Sequence, residues 1–116
     1  MNIEELREYC LLKPLVKECF PFDATTLVFK VADNIISLMD LEQNSTVNLK
    51  CDPELAAELR NRYSEIEPGY HMNKKHWNTV QLNGILDESL IRQLIDDSYA
   101  LVVQSLSGKK RKELGL

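Results

Sequence analysis

The residues best suited to chemistry are concentrated between Pro68 and Val80. This stretch holds both histidines, the only tryptophan and two adjacent lysines of the 116-residue chain. It contains no acid, although the whole chain carries a formal net charge of −4. Imidazole, ammonium and indole groups can serve as metal ligands, as proton-transfer groups or as contacts to an anionic partner. Each of these uses requires different neighbouring residues.

The surroundings of His71 and His76 do not favour a metal site. A zinc site needs three or four protein ligands. The sequence has neither a Cys-x-x-Cys nor a His-Glu-x-x-His motif, and no acid lies between Glu67 and Asp87. We therefore expect no metal and no cofactor. The two histidines are expected to be partly exposed and to hydrogen-bond to the backbone or to solvent.

Nucleophilic catalysis would require a reactive cysteine beside a histidine. Cys51 ends a predicted strand and both histidines follow it in the chain, so a Cys–His pair is conceivable. A reactive cysteine needs an exposed, electropositive setting. The three cysteines, Cys10, Cys19 and Cys51, instead occupy apolar positions of the local pattern. The chain also lacks a nucleophile elbow, a phosphate loop and a dinucleotide fingerprint. We expect buried, reduced thiols and no enzymatic activity.

Binding of DNA fits the 69–80 segment better than catalysis does. Lysines contact phosphates as point charges, an exposed tryptophan can stack on bases, and asparagine and histidine can hydrogen-bond to bases or backbone. The pI near 5.2 argues against a strong nonspecific binder, but charge acts locally, because the Debye length is about 8 Å at physiological salt. The candidate binding residues are His71, Asn73, Lys74, Lys75, His76, Trp77 and Asn78.

A protein or peptide partner is the alternative, and the residues alone do not separate it from DNA. An exposed edge of an antiparallel sheet can accept a strand from a partner. Tyr70 and Trp77, beside lysines, would anchor an acidic peptide in an adaptor domain. A third interpretation gives the segment no binding role, with Trp77 in the core and the lysines in a solvated loop.

Periodicity divides the chain into the helices and strands that must position this segment. Apolar residues at helical spacing mark three helices, which begin at capping residues. Alternating apolar and polar residues mark the strands, and Asp33-Asn34 marks a hairpin turn. The predicted elements are a helix over 2–12, strands over 19–22, 25–31, 35–41 and 46–51, a helix starting at Asp52-Pro53, a strand over 77–82 and a helix over 87–106.

The order α-β-β-β-β-α-β-α predicts an α+β fold. Its helices and strands run in blocks, which favours a two-layer domain with a mainly antiparallel sheet and helices on one face. The length suits a single domain over 1–116, with 109–116 expected to be a frayed basic tail. No apolar run approaches the ~20 residues of a membrane span, and the acidic N-terminus is unlike a signal peptide. We expect a cytoplasmic protein that is monomeric or weakly associating.

Several segments along the chain follow the pattern of one known family. They lie at 20–22, 28–31, 49–55, 68–80, 95–99 and 101–103, and the most specific is the one at 68–80. In these segments the chain resembles the MmcQ/YjbR family of small bacterial proteins, whose lysine-histidine-tryptophan core is present as Lys75, His76 and Trp77. The resemblance spans essentially the whole chain. It implies a domain similar in architecture to the frataxin-like fold, a "double wing" arrangement, and DNA binding without established catalytic residues.

Overall fold

The computed structural model describes residues 1–42, 46–69 and 72–116. Within these ranges the element order is α-β-β-β-β-α-β-β-α-α. The helices are α1 (Ile3–Leu11), α2 (Pro53–Arg62), α3 (Glu88–Ser105) and α4 (Gly108–Leu114). The strands are β1 (Lys17–Cys19), β2 (Thr26–Val31), β3 (Asn34–Asp40), β4 (Thr46–Lys50), β5 (Ile66–Pro68) and β6 (Trp77–Gln81).

One antiparallel sheet joins all the strands, in the order β1-β2-β3-β4-β6-β5. Alternate residues such as Leu27 and Phe29 of β2 enter a core that also receives the apolar stripes of α1, α2 and α3. The opposite face of the sheet, here called the outer face, carries the intervening residues. The predicted α+β fold, with helices packed on one face of an antiparallel sheet, is therefore confirmed.

The predicted helix starts agree with the capping geometry. The Asn2 side chain accepts a hydrogen bond from Glu5 N at 2.8 Å, which forms a capping box at the start of α1. Asp52 accepts one from Leu55 N at 3.3 Å and precedes Pro53, the first residue of α2. Such caps satisfy N–H groups that have no partner within the helix. Asp87 occupies the same position at α3 but makes no side-chain cap bond.

The hairpin between β2 and β3 turns one residue earlier than predicted. Its central residues are Ala32 and Asp33, with φ of 49° and 67°, rather than Asp33 and Asn34. Positive φ at both positions matches a type I′ turn, whose twist suits the flanking strands. A register shift between Phe29 and Lys30 adds one residue to β3 and offsets its pairing with β2.

Two elements at the sheet edges differ from the prediction. The first strand covers Lys17–Cys19 instead of 19–22, so it ends before Pro21, which has no N–H to donate. The second, β5 (Ile66–Pro68), was not predicted, because Gly69 follows its last residue and a Pro-Gly pair usually marks a turn. Of the predicted loop over 42–45, residues 43–45 lie outside the described residues.

The C-terminal residues form α4, because Ser107 Oγ accepts a hydrogen bond from Lys110 N at 3.0 Å and so starts a new helix. Gly115 ends this helix in the left-handed conformation. Cys10 and Cys51 are buried and Cys19 is half-buried, and all three are free thiols. None of the helices in the described ranges has the length and apolar character needed to cross a membrane.

Ser98 links α3 to the middle of the sheet. Its hydroxyl donates to Ile36 O at 2.6 Å and accepts from Lys50 N at 3.0 Å, and the residue is fully buried. Because Ser37 pairs with Leu49, Ile36 lies opposite Lys50, where the next ladder hydrogen bond would form. The serine hydroxyl takes the place of that bond, so α3 holds the end of β4 that carries Lys50.

Candidate functional site

A tight turn, here called the basic turn (residues 73–77), presents the two adjacent lysines. Asn73 Oδ1 accepts a hydrogen bond from Lys75 N at 2.9 Å. Asn73 O accepts from His76 N at 3.2 Å and from Trp77 N at 3.0 Å. An asparagine side chain that bonds the backbone two residues ahead stabilises such turns. The exposed side chains of Lys74 and Lys75 therefore occupy the tip, and Trp77 begins β6.

The lysines of the basic turn are not neutralised. Across residues 1–42, 46–69 and 72–116, no carboxylate lies within ion-pair distance of Lys74 or Lys75. Their ammonium groups are therefore free to meet an anion from outside the molecule. By contrast, Arg7 and Lys13 are engaged with Glu18 and Asp96.

A further lysine joins the basic turn from the neighbouring strand. In the β4–β6 register, Lys50 lies opposite Trp77 and Asn48 lies opposite Thr79. Residues paired in this way have Cβ atoms about 5 Å apart on the same face of a sheet. Val47 and Leu49 of β4 enter the core, so Lys50 and the half-buried Trp77 lie together on the outer face. Thr79 Oγ1 donates to Asn48 Oδ1 at 2.6 Å, which fixes the strands beneath them.

Gly69 allows the chain to pass close to Trp77. Its N–H donates to Trp77 O at 2.8 Å. A Cβ placed on Gly69 would lie 2.7 Å from Trp77 Cβ, closer than real Cβ contacts come, and 3.0 Å from Trp77 O. Only glycine fits this approach without moving the backbone, so Gly69 defines where the tryptophan sits.

The other predicted site residues take different places. His76 is half-buried, and its carbonyl accepts a hydrogen bond from Cys51 N at 2.8 Å. Asn78 is 2% exposed and faces the helices, where its amide donates to Ala56 O at 3.5 Å. His71, like Tyr70, lies outside the described residues. The structure therefore groups Asn73, Lys74, Lys75, His76 and Trp77, and it directs Asn78 away from the outer face.

The Cys51–His76 neighbourhood does not resemble a nucleophilic site. The two residues are joined through their backbones just beyond the paired ends of β4 and β6, but Cys51 is only 5% exposed. Burial, reinforced by the negative charges of Asp97 and Asp52, raises the pKa of Cys51 to about 11. A thiol with a raised pKa stays protonated near neutral pH and is a poor nucleophile. Among the described residues, no group of three or more histidines, cysteines and acids is placed to hold a metal.

The sequence does not reveal that Lys50 belongs to the site. Alternation over 46–51 predicts that Lys50 points away from the core, but it does not show which strand lies beside it. The alternation of side chains along a strand would have excluded Asn78 from the candidate binding residues, because it is adjacent to Trp77 and adjacent residues point to opposite faces. The pairing of β4 with β6 joins segments about thirty residues apart, and no local pattern encodes it.

The fold and the site define a class of small α+β domains with a six-stranded antiparallel sheet and a basic-aromatic turn at the start of one strand. The family model described as YjbR matches residues 11–101. The chain therefore belongs to the YjbR family, which confirms the resemblance found in the sequence.

Relatives from several bacteria support this assignment. The chain is 40% identical over 115 residues to the uncharacterized protein YjbR of Escherichia coli K12, covering 98% of each chain. A crystal structure of Deinococcus radiodurans protein DR2400, with domain DUF419, superimposes with a TM-score of 0.95 at 43% identity, over 99% of this chain and 88% of that one. A crystal structure from Pseudomonas syringae gives a TM-score of 0.74 at 34% identity, over 87% and 98%.

Proposed function

We propose that this protein binds DNA, without catalysing a reaction, through the basic turn and the adjoining part of the outer face. The observation that carries the proposal is the meeting of Lys50, Lys74 and Lys75 with Trp77, in a region of the described structure where these lysines have no carboxylate partner. Cations that are already paired within a protein contribute little to binding a polyanion, whereas free ones release counterions from the phosphates that they contact.

Each group in this region has a distinct role in the proposed complex. The ammonium groups of Lys74, Lys75 and Lys50 contact phosphates. The Trp77 indole offers an aromatic surface to a base or a sugar. Asn73 uses its side-chain oxygen to hold the turn, so its amide N–H groups remain for the ligand. About three phosphate contacts predict a roughly fortyfold loss of affinity between 50 and 200 mM salt.

Strand addition by a peptide is less well supported. The two edges of the sheet are β1 and β5, and each contains three residues. Short edge strands disfavour pairing with another chain. Pro68 also removes one of the N–H groups that β5 would otherwise offer. An acidic peptide would therefore depend on side chains alone, whereas DNA supplies a regular row of charges.

The test compares two double variants that remove the same charge. Fluorescence anisotropy with a labelled duplex at about 50 mM salt, where phosphate contacts are strongest, measures the affinity. Replacing Lys74 and Lys75 by glutamine should weaken binding by at least about tenfold and flatten its salt dependence. The matched control replaces Lys109 and Lys112, exposed residues of α4, and should change affinity by less than about twofold.

Two results would reject the proposal: no detectable binding by the parent protein at about 50 mM salt, or equal losses in both double variants. The intrinsic fluorescence gives a second readout, because Trp77 is the only tryptophan. Contact with bases should quench its emission, and a single-stranded oligonucleotide should quench more strongly than a duplex, since its bases are free to stack. Emission that stays unchanged while DNA binds would remove Trp77 from the interface.

A further inference from the structure

A second group of lysines lies at the other side of the sheet. A cleft of about 470 Å³, here called the lysine cleft, opens between the β1–β2 edge and α4. It is lined by Lys17, Lys30 and Lys110. β2, β3 and β4 separate β1 from β6, the strand that carries Trp77. The lysine cleft is therefore a different region from the basic turn, and nothing in the proposed DNA contact uses it.

The charges in the lysine cleft are unbalanced. Glu18 also lines it, but Arg7 already engages this carboxylate through Nε at 2.7 Å and Nη2 at 2.6 Å. The hydrogen bond and charge of Arg7 lower the pKa of Glu18, so the carboxylate stays ionised and committed to that pair. Asp33 is the only other acid in the lining. The cleft therefore carries an excess of positive charge in a chain whose formal net charge is −4.

Two of these lysines oppose each other directly. Lys17 of β1 and Lys30 of β2 are register partners, so their Cβ atoms lie about 5 Å apart. Like charges at such positions destabilise a sheet. Within the described ranges no carboxylate lies within ion-pair distance of either lysine. An anion placed between the two ammonium groups would convert this repulsion into attraction.

The backbone around the lysine cleft is also unusual. All three non-glycine residues with positive φ in the described structure, Leu15 (64°), Ala32 (49°) and Asp33 (67°), line this one cleft. Leucine and alanine adopt this conformation at a cost that glycine would not incur. The hairpin turn requires this conformation at Ala32 and Asp33, whereas Leu15 lies in the connection between α1 and β1, and strained residues of its kind cluster at ligand clamps. Here it bends two connections so that both border the lysines.

We propose that the lysine cleft binds the phosphate group of a small phosphorylated organic molecule. Lys17, Lys30 and Lys110 neutralise the phosphate, and Leu15 and Leu114 contact the apolar part of the ligand. The volume falls within the range of small-molecule sites. A phosphate monoester fits this lining better than inorganic phosphate, because an ion alone would leave the leucine surfaces unused.

The test uses phenyl phosphate as the probe. Phenol and inorganic phosphate, which each carry one of its two chemical groups, serve as control ligands. Backbone NMR shifts of the full chain, recorded during titration to about 10 mM, report both affinity and location. Phenyl phosphate should shift the signals of residues around 15–19, 30–33 and 110–114 in a saturable manner. Inorganic phosphate should shift the same signals more weakly, and phenol should leave them unchanged.

A charge-matched pair of variants assigns the site. Lys30→Gln should weaken phenyl phosphate binding by at least about tenfold, as expected when one charged hydrogen bond to a phosphate is lost. Lys74→Gln, which removes the same charge at the basic turn, should leave this binding unchanged. Lys30→Gln should also raise the melting temperature of the free protein, because it removes the repulsion from Lys17. A purely structural lysine would instead lower it.

Several outcomes would reject the proposed phosphate site. No saturable shift, shifts confined to the basic turn, or binding that survives in Lys30→Gln would each overturn the proposal. Displacement of phenyl phosphate by a short DNA duplex would also overturn it, because the cleft would then be a contact to nucleic acid. Unchanged DNA affinity in Lys30→Gln separates this site from the proposed DNA interface, so either proposal can fail alone.

Discussion

Two regions of the molecule set lysine beside aromatic rings, and they differ in whether a carboxylate is present. In the first, here called the tyrosine clamp, Lys13 lies 4.8 Å from the ring centre of Tyr9 and 5.8 Å from that of Tyr99. Asp96 of α3 accepts hydrogen bonds from Lys13 Nζ and, at 2.7 Å, from the Tyr9 hydroxyl. In the second, the basic turn, the oxygen of Asn73 accepts from the backbone instead.

The two regions differ in how their lysines are partnered, and this determines whether a lysine can bind an external anion. Burial alone would lower the pKa of Lys13, but the hydrogen bond and charge of Asp96 outweigh it and raise that pKa. Lys13 therefore stays protonated near neutral pH and joins the end of α1 to α3, with its charge already neutralised by Asp96. In the basic turn the asparagine gives the same geometric support without charge, and Lys74 and Lys75 stay available. Four predictions test this contrast, from the largest effect to the smallest.

Gly69→Ala should have the largest effect, because it creates a steric clash with Trp77 rather than removing a charge. The added Cβ would meet Trp77 Cβ at 2.7 Å and must displace backbone, so we expect a loss of about 3 kcal/mol in unfolding free energy. Urea denaturation measures it. Gly108→Ala is the matched control, since a Cβ there meets nothing within 4 Å. Equal stability of the two variants would mean that the approach of Gly69 to Trp77 is not tight.

Asp96→Asn should dismantle the tyrosine clamp. It removes the charge that pairs with Lys13, whose side chain is 19% exposed, and it weakens the acceptor used by Tyr9. We expect a loss of about 2 kcal/mol, typical of a hydrogen bond to a charged group that is left imperfectly replaced. Lys74→Gln serves as the comparison in the same denaturation experiment and should change stability by less than about 0.5 kcal/mol. Equal losses of unfolding free energy in the two variants would show that the carboxylate partner does not distinguish the two regions.

The tyrosine clamp should also give the protein an alkaline limit. The hydrogen bond to Asp96 raises the pKa of Tyr9 above its usual 10.0, and Asp96 raises that of Lys13 above 10.5. Both groups bind protons more tightly in the folded state, so their contribution is complete below the unfolded pKa values and falls as pH rises through the folded ones. Unfolding free energy should therefore decline above pH 10, and less steeply in Asp96→Asn. Parallel slopes would contradict this assignment.

Asn73→Asp should have the smallest effect, and it makes the basic turn resemble the clamp. Aspartate can hold the turn as asparagine does, but it adds a negative charge beside Lys74 and Lys75. DNA affinity should fall about fivefold, which corresponds to the ~1 kcal/mol between unit charges about 4 Å apart in water. Asn83→Asp is the matched control, because Asn83 Oδ1 holds a similar turn by accepting from Ile85 N at 3.2 Å. A fall of the same size in both variants would show that only net charge matters.

Most of the fold was predictable because the residues that form the core recur at regular spacing in the sequence. Leu27, Phe29 and Val31 alternate with polar or outward residues, and the structure places all three in the core. The Asp52-Pro53 pair predicts the start of α2, which the structure confirms. The edges were less predictable, since β1 and β5 contain three residues each and too few side chains to establish a period. Their existence depends on pairing with β2 and β6.

The sequence identifies the segment that forms the candidate site, but it does not show which residues from other strands lie beside that segment. The composition of 68–80 identifies the basic turn, and the structure places Asn73, Lys74 and Lys75 together there with exposed side chains. The sequence did not reveal that Lys50 joins them, because that depends on the β4–β6 register. The lysine cleft was equally hidden, since its lysines come from β1, β2 and α4 and meet only after the chain has folded.

The Ser98 hydroxyl bridge has a consequence for how this surface can change over time. Ser98 lies on the core side of the sheet, yet it determines where the backbone of Lys50 is held. A substitution at position 98 would therefore alter the outer face without altering any residue on it. The geometry of the outer face therefore depends partly on the buried helix α3. Substitutions in α3 and changes in the spacing of the exposed lysines should consequently be linked during evolution.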